Sequence, residues 1–107
     1  MTKCEFFRDG ARITGFSISG HSGYAEAGSD IVCAAISAVV GMVEATINDV
    51  CGGKAKVRIK EADARITLIL PASCEEEESI QSALAGLMLY LISLRDDYPD
   101  YIEVLEV

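Results

Sequence analysis

The sequence predicts an α+β fold in a single domain, residues 1–107, with elements in the order ββαββαβ and an antiparallel or mixed sheet packed by two helices. Three observations carry this: five stretches that alternate or are rich in β-formers, two long stretches with helical spacing of apolar residues, and turn signals between them. At 107 residues, half of them hydrophobic and only 24% charged, the chain has enough apolar material for one buried core and too little charge for disorder.

Residues 2 to 8 and 11 to 19 read as two strands around Asp9-Gly10, a hairpin signal in which glycine supplies a positive φ. In the second strand Ile13 is out of phase with Phe16 and Ile18, and Gly15 stands at the break, as a bulge or a close backbone approach requires. Residues 21 to 29 have no periodicity; with Gly20, Gly23, Tyr24 and Gly28 they read as a mobile loop at the mouth of a site. Asp30 is a good N-cap for a helix over Ile31 to Val50, stopped by Cys51-Gly52-Gly53 and apolar enough to be buried on most sides. Lys54 to Lys60 and Arg65 to Leu70 form a second hairpin, with Ala55, Val57 and Ile59 directed at the core and a basic row directed outward. Ser73-Cys74-Glu75-Glu76 has the spacing of a capping box for a second helix. Its stripe of Ile80, Leu84, Leu87, Met88, Leu91 and Leu94 runs to a stop at Tyr98-Pro99, and residues 101 to 107 form a terminal strand.

Charge and cysteines narrow the function. Nine basic against seventeen acidic residues leave a net charge of -8, which opposes direct nucleic acid binding and favours a basic protein partner. Cys4, Cys33, Cys51 and Cys74 are widely spaced without a CxxC pair, and one histidine is too few for the usual zinc sites, so neither metal nor other cofactor is expected. A charged N-terminus without signal-peptide character points to reduced thiols in the cytoplasm. The apolar run from Ile31 to Val43 falls short of the ~20 residues of a membrane span and is broken by Ser37 and Gly41, so no membrane partner is expected.

The thiolate is the reactive form of cysteine, and position ranks the four thiols. Cys33 falls in the first turn of its helix, near unpaired N–H groups and the positive end of the dipole. Cys51 stands at the opposite end, Cys74 precedes four glutamates, and Cys4 lies in a strand with no recognisable cationic neighbour. His21, the only histidine, has enough loop to reach Cys33, which together supply a nucleophile and a general base. The N–H groups of residues 31 to 34, together with loop amides, are candidate oxyanion donors. Asp30 has two readings, helix cap and orienting partner of His21, and Ser37, one turn after Cys33, lines the pocket or bonds locally. A helix-start cysteine among alanines is equally what a small buried hydrophobe looks like, and a loop histidine is commonly a surface residue.

Ser19-Gly20-His21-Ser22-Gly23-Tyr24-Ala25 followed by Gly28-Ser29-Asp30-Ile31-Val32-Cys33-Ala34-Ala35-Ile36-Ser37 closely resembles the motif of the bacterial ribosomal-processing cysteine protease family Prp. The resemblance is specific in this stretch and extends to the order of elements elsewhere. It implies a cytoplasmic homodimeric endopeptidase that removes a short N-terminal extension from large-subunit ribosomal protein twenty-seven, with His21 and Cys33 at the catalytic positions. The alternative class is a non-catalytic ribosome-assembly or peptide-binding module that holds an extended segment by strand addition. A thiol oxidoreductase lacks a resolving cysteine at short spacing.

Overall fold

The computed structural model describes residues 1–26 and 28–107. Five strands form one mixed sheet: β1 (Thr2–Asp9), β2 (Arg12–Ser19), β3 (Lys56–Lys60), β4 (Arg65–Ile69) and β5 (Ile102–Glu106), in spatial order β3-β4-β2-β1-β5. Neighbours run antiparallel except β1 and β5, which are parallel because the helix α2 (Glu77–Asp97) carries the chain back across the sheet. The first helix, α1 (Ile31–Ala45), crosses between β2 and β3 in sequence. The expected order of elements and α+β class hold.

Alternation decides which side of the sheet is covered. Cys4 and Phe6 of β1, Phe16 and Ile18 of β2 and Leu68 of β4 are all buried, and register places them on one face: Cys4 opposite Ile18, Phe6 opposite Phe16, Phe16 opposite Leu68. They join Val32, Ile36, Val40 and Val43 of α1 and the Ile80 to Leu94 stripe of α2 in one cluster.

The phase break in β2 is a bulge: pairing shifts between Phe7 and Arg8, opposite Gly15 and Ile13. Gly15 is also a close approach, since a Cβ there would stand 2.2 Å from the Leu68 carbonyl oxygen. Gln81 of α2 binds both backbone groups of Ile13 at 2.8 Å, satisfying the strand where the ladder is disturbed.

Four local expectations change. The helical segment from Ile31 continues through a π-helical turn, Thr46–Val50, in which Cys51 N–H reaches the Thr46 carbonyl at 2.9 Å. By length and composition these 20 residues, with mean hydropathy 1.8, would suffice for a membrane span, which the shorter apolar run alone would not. The segment is not buried on most sides: one stripe of Val32, Ile36, Val40, Val43 and Ile47 packs inward while Met42 and Val50 are exposed. Ile59 shares the register of Ile66 on the covered face, yet it is 72% exposed because β3 is the edge strand and projects beyond the helices. The capping box does not form. The cap of α2 is Glu76 without a side-chain bond, and the preceding segment is instead anchored by Arg12, which binds Glu77 through two nitrogens at 2.8 and 3.1 Å and the Pro71 carbonyl at 2.9 Å.

Candidate active site

The site is built where β2 hands over to α1. Asp30 has extended backbone geometry and caps the helix: its Oδ1 accepts the N–H of Val32 at 2.9 Å and of Cys33 at 3.0 Å. Its Oδ2 accepts the Ser22 hydroxyl at 2.5 Å and the Ala25 N–H at 3.3 Å. Both residues are buried, and each of their side-chain oxygens is hydrogen-bonded. Burial pushes the Asp30 carboxyl up, but the Ser22 hydroxyl and the N–H groups of Cys33, Ala25 and Val32 outweigh it and bring the carboxyl down to about 2. Of the two readings of Asp30, cap and orienter of His21, the observed bonds are those of a cap that also holds the loop.

The loop before Asp30 is tied at several points. Ser22 accepts the N–H of Tyr24 at 3.2 Å, a serine turn across Gly23, whose φ of 80° an L side chain rarely adopts. The Tyr24 ring meets the edges of Tyr98 and Tyr101, with centroids 5.5 and 5.3 Å away, so the loop rests on the connection between α2 and β5. At its start, Gly20 N–H reaches the carbonyls of Asp63 and Ala64 at 3.2 Å, joining the loop to the turn between β3 and β4. Ala27, within the same loop, lies outside the described residues.

These attachments frame a cavity of about 570 Å³. His21, Cys33 and Ser37 line it, together with Gly20, Gly28 and Asp30. The half-buried Cys33 thiol and the exposed His21 ring share this space, although among the described residues no hydrogen bond joins His21 to Cys33 or Asp30. Ile18, Ile36, Val40, Ile59 and Ile66 make much of the remaining wall, with Glu44, Lys60, Glu61 and Arg65 also in the lining, so the cavity suits a ligand with apolar groups. Tyr24 and Gly23 stand outside the lining and act on the loop instead.

Three of the four helix-start amides, those of Val32, Cys33 and Ala34, are not available as oxyanion donors. Val32 and Cys33 give their N–H groups to Asp30 Oδ1, and Ala34 gives its own to the Asp30 carbonyl at 3.0 Å. The residue that makes a good cap therefore occupies three of the four donors that the helix start was expected to offer. What points at the sulfur is the Ser22 N–H, 3.4 Å from Cys33 Sγ. Nothing in the spacing marked Ser22 as part of the site. The available signal was local: a serine immediately before a glycine is a turn former whose side chain folds back on its own backbone.

The other thiols differ in surroundings. Cys4 is fully buried, and burial alone raises it to about 12. Burial and the Glu77 charge raise Cys74, with Arg12 offsetting part of the effect. All four cysteines are free.

The same architecture and sequence recur in known proteins. The family model described as cysteine protease Prp matches residues 1–103. The ribosomal processing cysteine protease Prp of Bacillus subtilis (strain 168) is 33% identical over 95 residues, covering 86% of this chain and 84% of the relative. Among crystal structures, the essential ribosomal processing protease Prp from S. aureus with a covalently linked product peptide matches with a TM-score of 0.89 at 20% identity, covering 100% of both chains. A protein from Streptococcus mutans matches with a TM-score of 0.85 at 21% identity, covering 100% of this chain and 94% of its own. With the family model matching nearly its whole length and a relative 33% identical over most of it, this chain belongs to the ribosomal processing cysteine protease family Prp.

Proposed function

We propose that this protein removes a short N-terminal extension from large-subunit ribosomal protein twenty-seven, with Cys33 as nucleophile and His21 as general base and acid. The observation that carries the assignment is that the only histidine and the half-buried thiol line one cavity at the start of α1. That no hydrogen bond joins the two among the described residues is compatible with the chemistry, since catalytic hydrogen bonds commonly tighten only in the complex with substrate. Apolar walls favour a peptide with apolar side chains, the net charge of -8 favours a basic ribosomal protein, and the B. subtilis relative is a ribosomal processing protease.

In this mechanism His21 takes the Cys33 proton and Sγ attacks the scissile carbonyl carbon, the carbonyl π pair moving onto oxygen. The tetrahedral adduct collapses, re-forming C=O and breaking C–N, and the amine leaves with the proton held by His21. Water, deprotonated by His21, then attacks the thioester, and its collapse releases the carboxylate product and the Cys33 thiolate. Asp30 serves by fixing the helix start and the loop, and Ser37 by lining the pocket.

We infer also that the protein works as a homodimer in the cytoplasm, without direct nucleic acid or membrane contact. Met42, 64% exposed, and Tyr90, 43% exposed, border an apolar groove between α1 and α2, which supports a partner surface on that side. Incubating the purified protein with the extended ribosomal protein and reading product masses tests the activity. The parent should cleave at one site while Cys33→Ala and His21→Ala do not, and undiminished cleavage by Cys33→Ala would overturn the assignment.

A further inference from the structure

We propose that Ser22 is a catalytic residue of this site, its main-chain N–H donating to the reacting sulfur of Cys33 and its side chain, held by Asp30, keeping that donor in place. The inference deepens the protease reading and rests on Cys33 being the nucleophile.

Several features at the start of α1 converge on it. The first is depletion: the N–H groups of Val32, Cys33 and Ala34 are all spent on Asp30, so the helix start has little left for an anion at Sγ. The second is direction: among the described residues, Ser22 N–H is the donor that reaches Cys33 Sγ, at 3.4 Å. The third is restraint. Ser22 is 2% exposed although it lies in a loop, and its hydroxyl both donates to Asp30 Oδ2 and accepts from Tyr24 N–H. Asp30 therefore works through two oxygens, one capping α1 and the other clamping the residue next to His21. A single carboxylate thus couples the helix that carries the thiol to the loop that carries the base. A donor fixed on the sulfur stabilises negative charge there without reorganisation when the proton leaves, and it lies beside the carbon that the sulfur attacks.

The test removes only the N–H. Cys33 is a natural ligation point, so residues 1–32 can be made by synthesis with the amide between His21 and Ser22 replaced by an ester, which keeps the hydroxyl and its bond to Asp30. An all-amide chain joined the same way is the control. Two readouts separate this proposal from the function it rests on. The rate of Cys33 alkylation by iodoacetamide at neutral pH needs no peptide and should fall about tenfold in the ester chain, in proportion to a lost hydrogen bond to a charged group. Cleavage of the extended ribosomal protein should lose about 10²-fold in kcat with KM within about twofold. An unchanged alkylation rate overturns the proposal, whether or not the control cleaves. A control that alkylates at Cys33 but does not cleave overturns the protease reading instead. Should the ester chain fold poorly, Ser22→Thr and Ser22→Ala decide. Threonine keeps the hydroxyl and should retain the alkylation rate, alanine should lose most of it, and equal rates in the two contradict the proposed role.

Discussion

Removing the Tyr24 ring should cost activity far more than stability. Two edge-to-face contacts, with centroids 5.5 and 5.3 Å from Tyr98 and Tyr101, hold the loop against the far end of α2. Each such pair is worth about 0.5–1.5 kcal/mol, so Tyr24→Ala removes about 1–3 kcal/mol of anchoring; with 42% of the residue exposed, the lower half of that range applies. At about 1.4 kcal/mol per decade, a loss of about 1–2 kcal/mol makes the loop conformation that presents His21 and Ser22 about 5- to 30-fold less favoured. The anchor acts on the loop and leaves the sheet and helix core untouched, so Tm should move by no more than a few degrees. kcat/KM for the extended ribosomal protein should fall by about that same 5- to 30-fold, Tyr24→Phe should keep at least half of the parent value, and hydrogen exchange of the Ser22 to Asp30 amides should quicken in the alanine variant alone. A Tyr24→Ala protein with kcat/KM within twofold of the parent, and unchanged exchange in the loop, would refute the anchoring role.

Further outcomes follow from the surroundings of Asp30, Cys4 and Gly15. Because the Asp30 carboxyl is brought down from 3.8 to about 2, its contribution to stability is complete above pH ~4 and disappears as pH falls through about 2. Denaturant titrations of Asp30→Asn and the parent should thus differ most at neutral pH and converge near pH 2, and a constant difference across that window would contradict the assignment. Cys4, fully buried and raised to about 12, should stay unlabelled in the native protein while Cys33 is alkylated, as peptide mapping would show. Gly15→Ala should cost about 3 kcal/mol by overpacking, because the new Cβ meets a backbone oxygen that cannot move aside, and should lower Tm by more than about 10 °C in a thermal melt.

Much of the fold was legible because its signals are local. Asp9-Gly10 and the alternation on either side of it define the β1–β2 hairpin, and the out-of-phase Ile13 marks the bulge that the pairing shows. The α2 stripe reads directly as core. Local signals failed where a distant partner competes. Ser73 and Glu76 have capping-box spacing, but Arg12, far away in sequence, binds Glu77 and fixes the segment differently. The apolar composition of α1 could not reveal how much of it a single chain covers, since burial depends on what stands opposite each face. At the site, the cap residue and the two candidate groups were visible in their order along the chain. The occupation of the helix-start amides by that same cap, and the turn that brings Ser22 N–H to the sulfur, arise from the folded-back loop and have no period to reveal them.

In the proposed mechanism Cys33 carries the acyl group of the cleaved peptide. Single-turnover mixtures of the protein with the extended ribosomal protein, quenched in acid and digested, should yield the Cys33-containing peptide with the mass of the N-terminal extension attached as a thioester that hydroxylamine removes. Cleavage proceeding with no acyl group on Cys33 at any time, or with the group on Cys51 or Cys74, would contradict it.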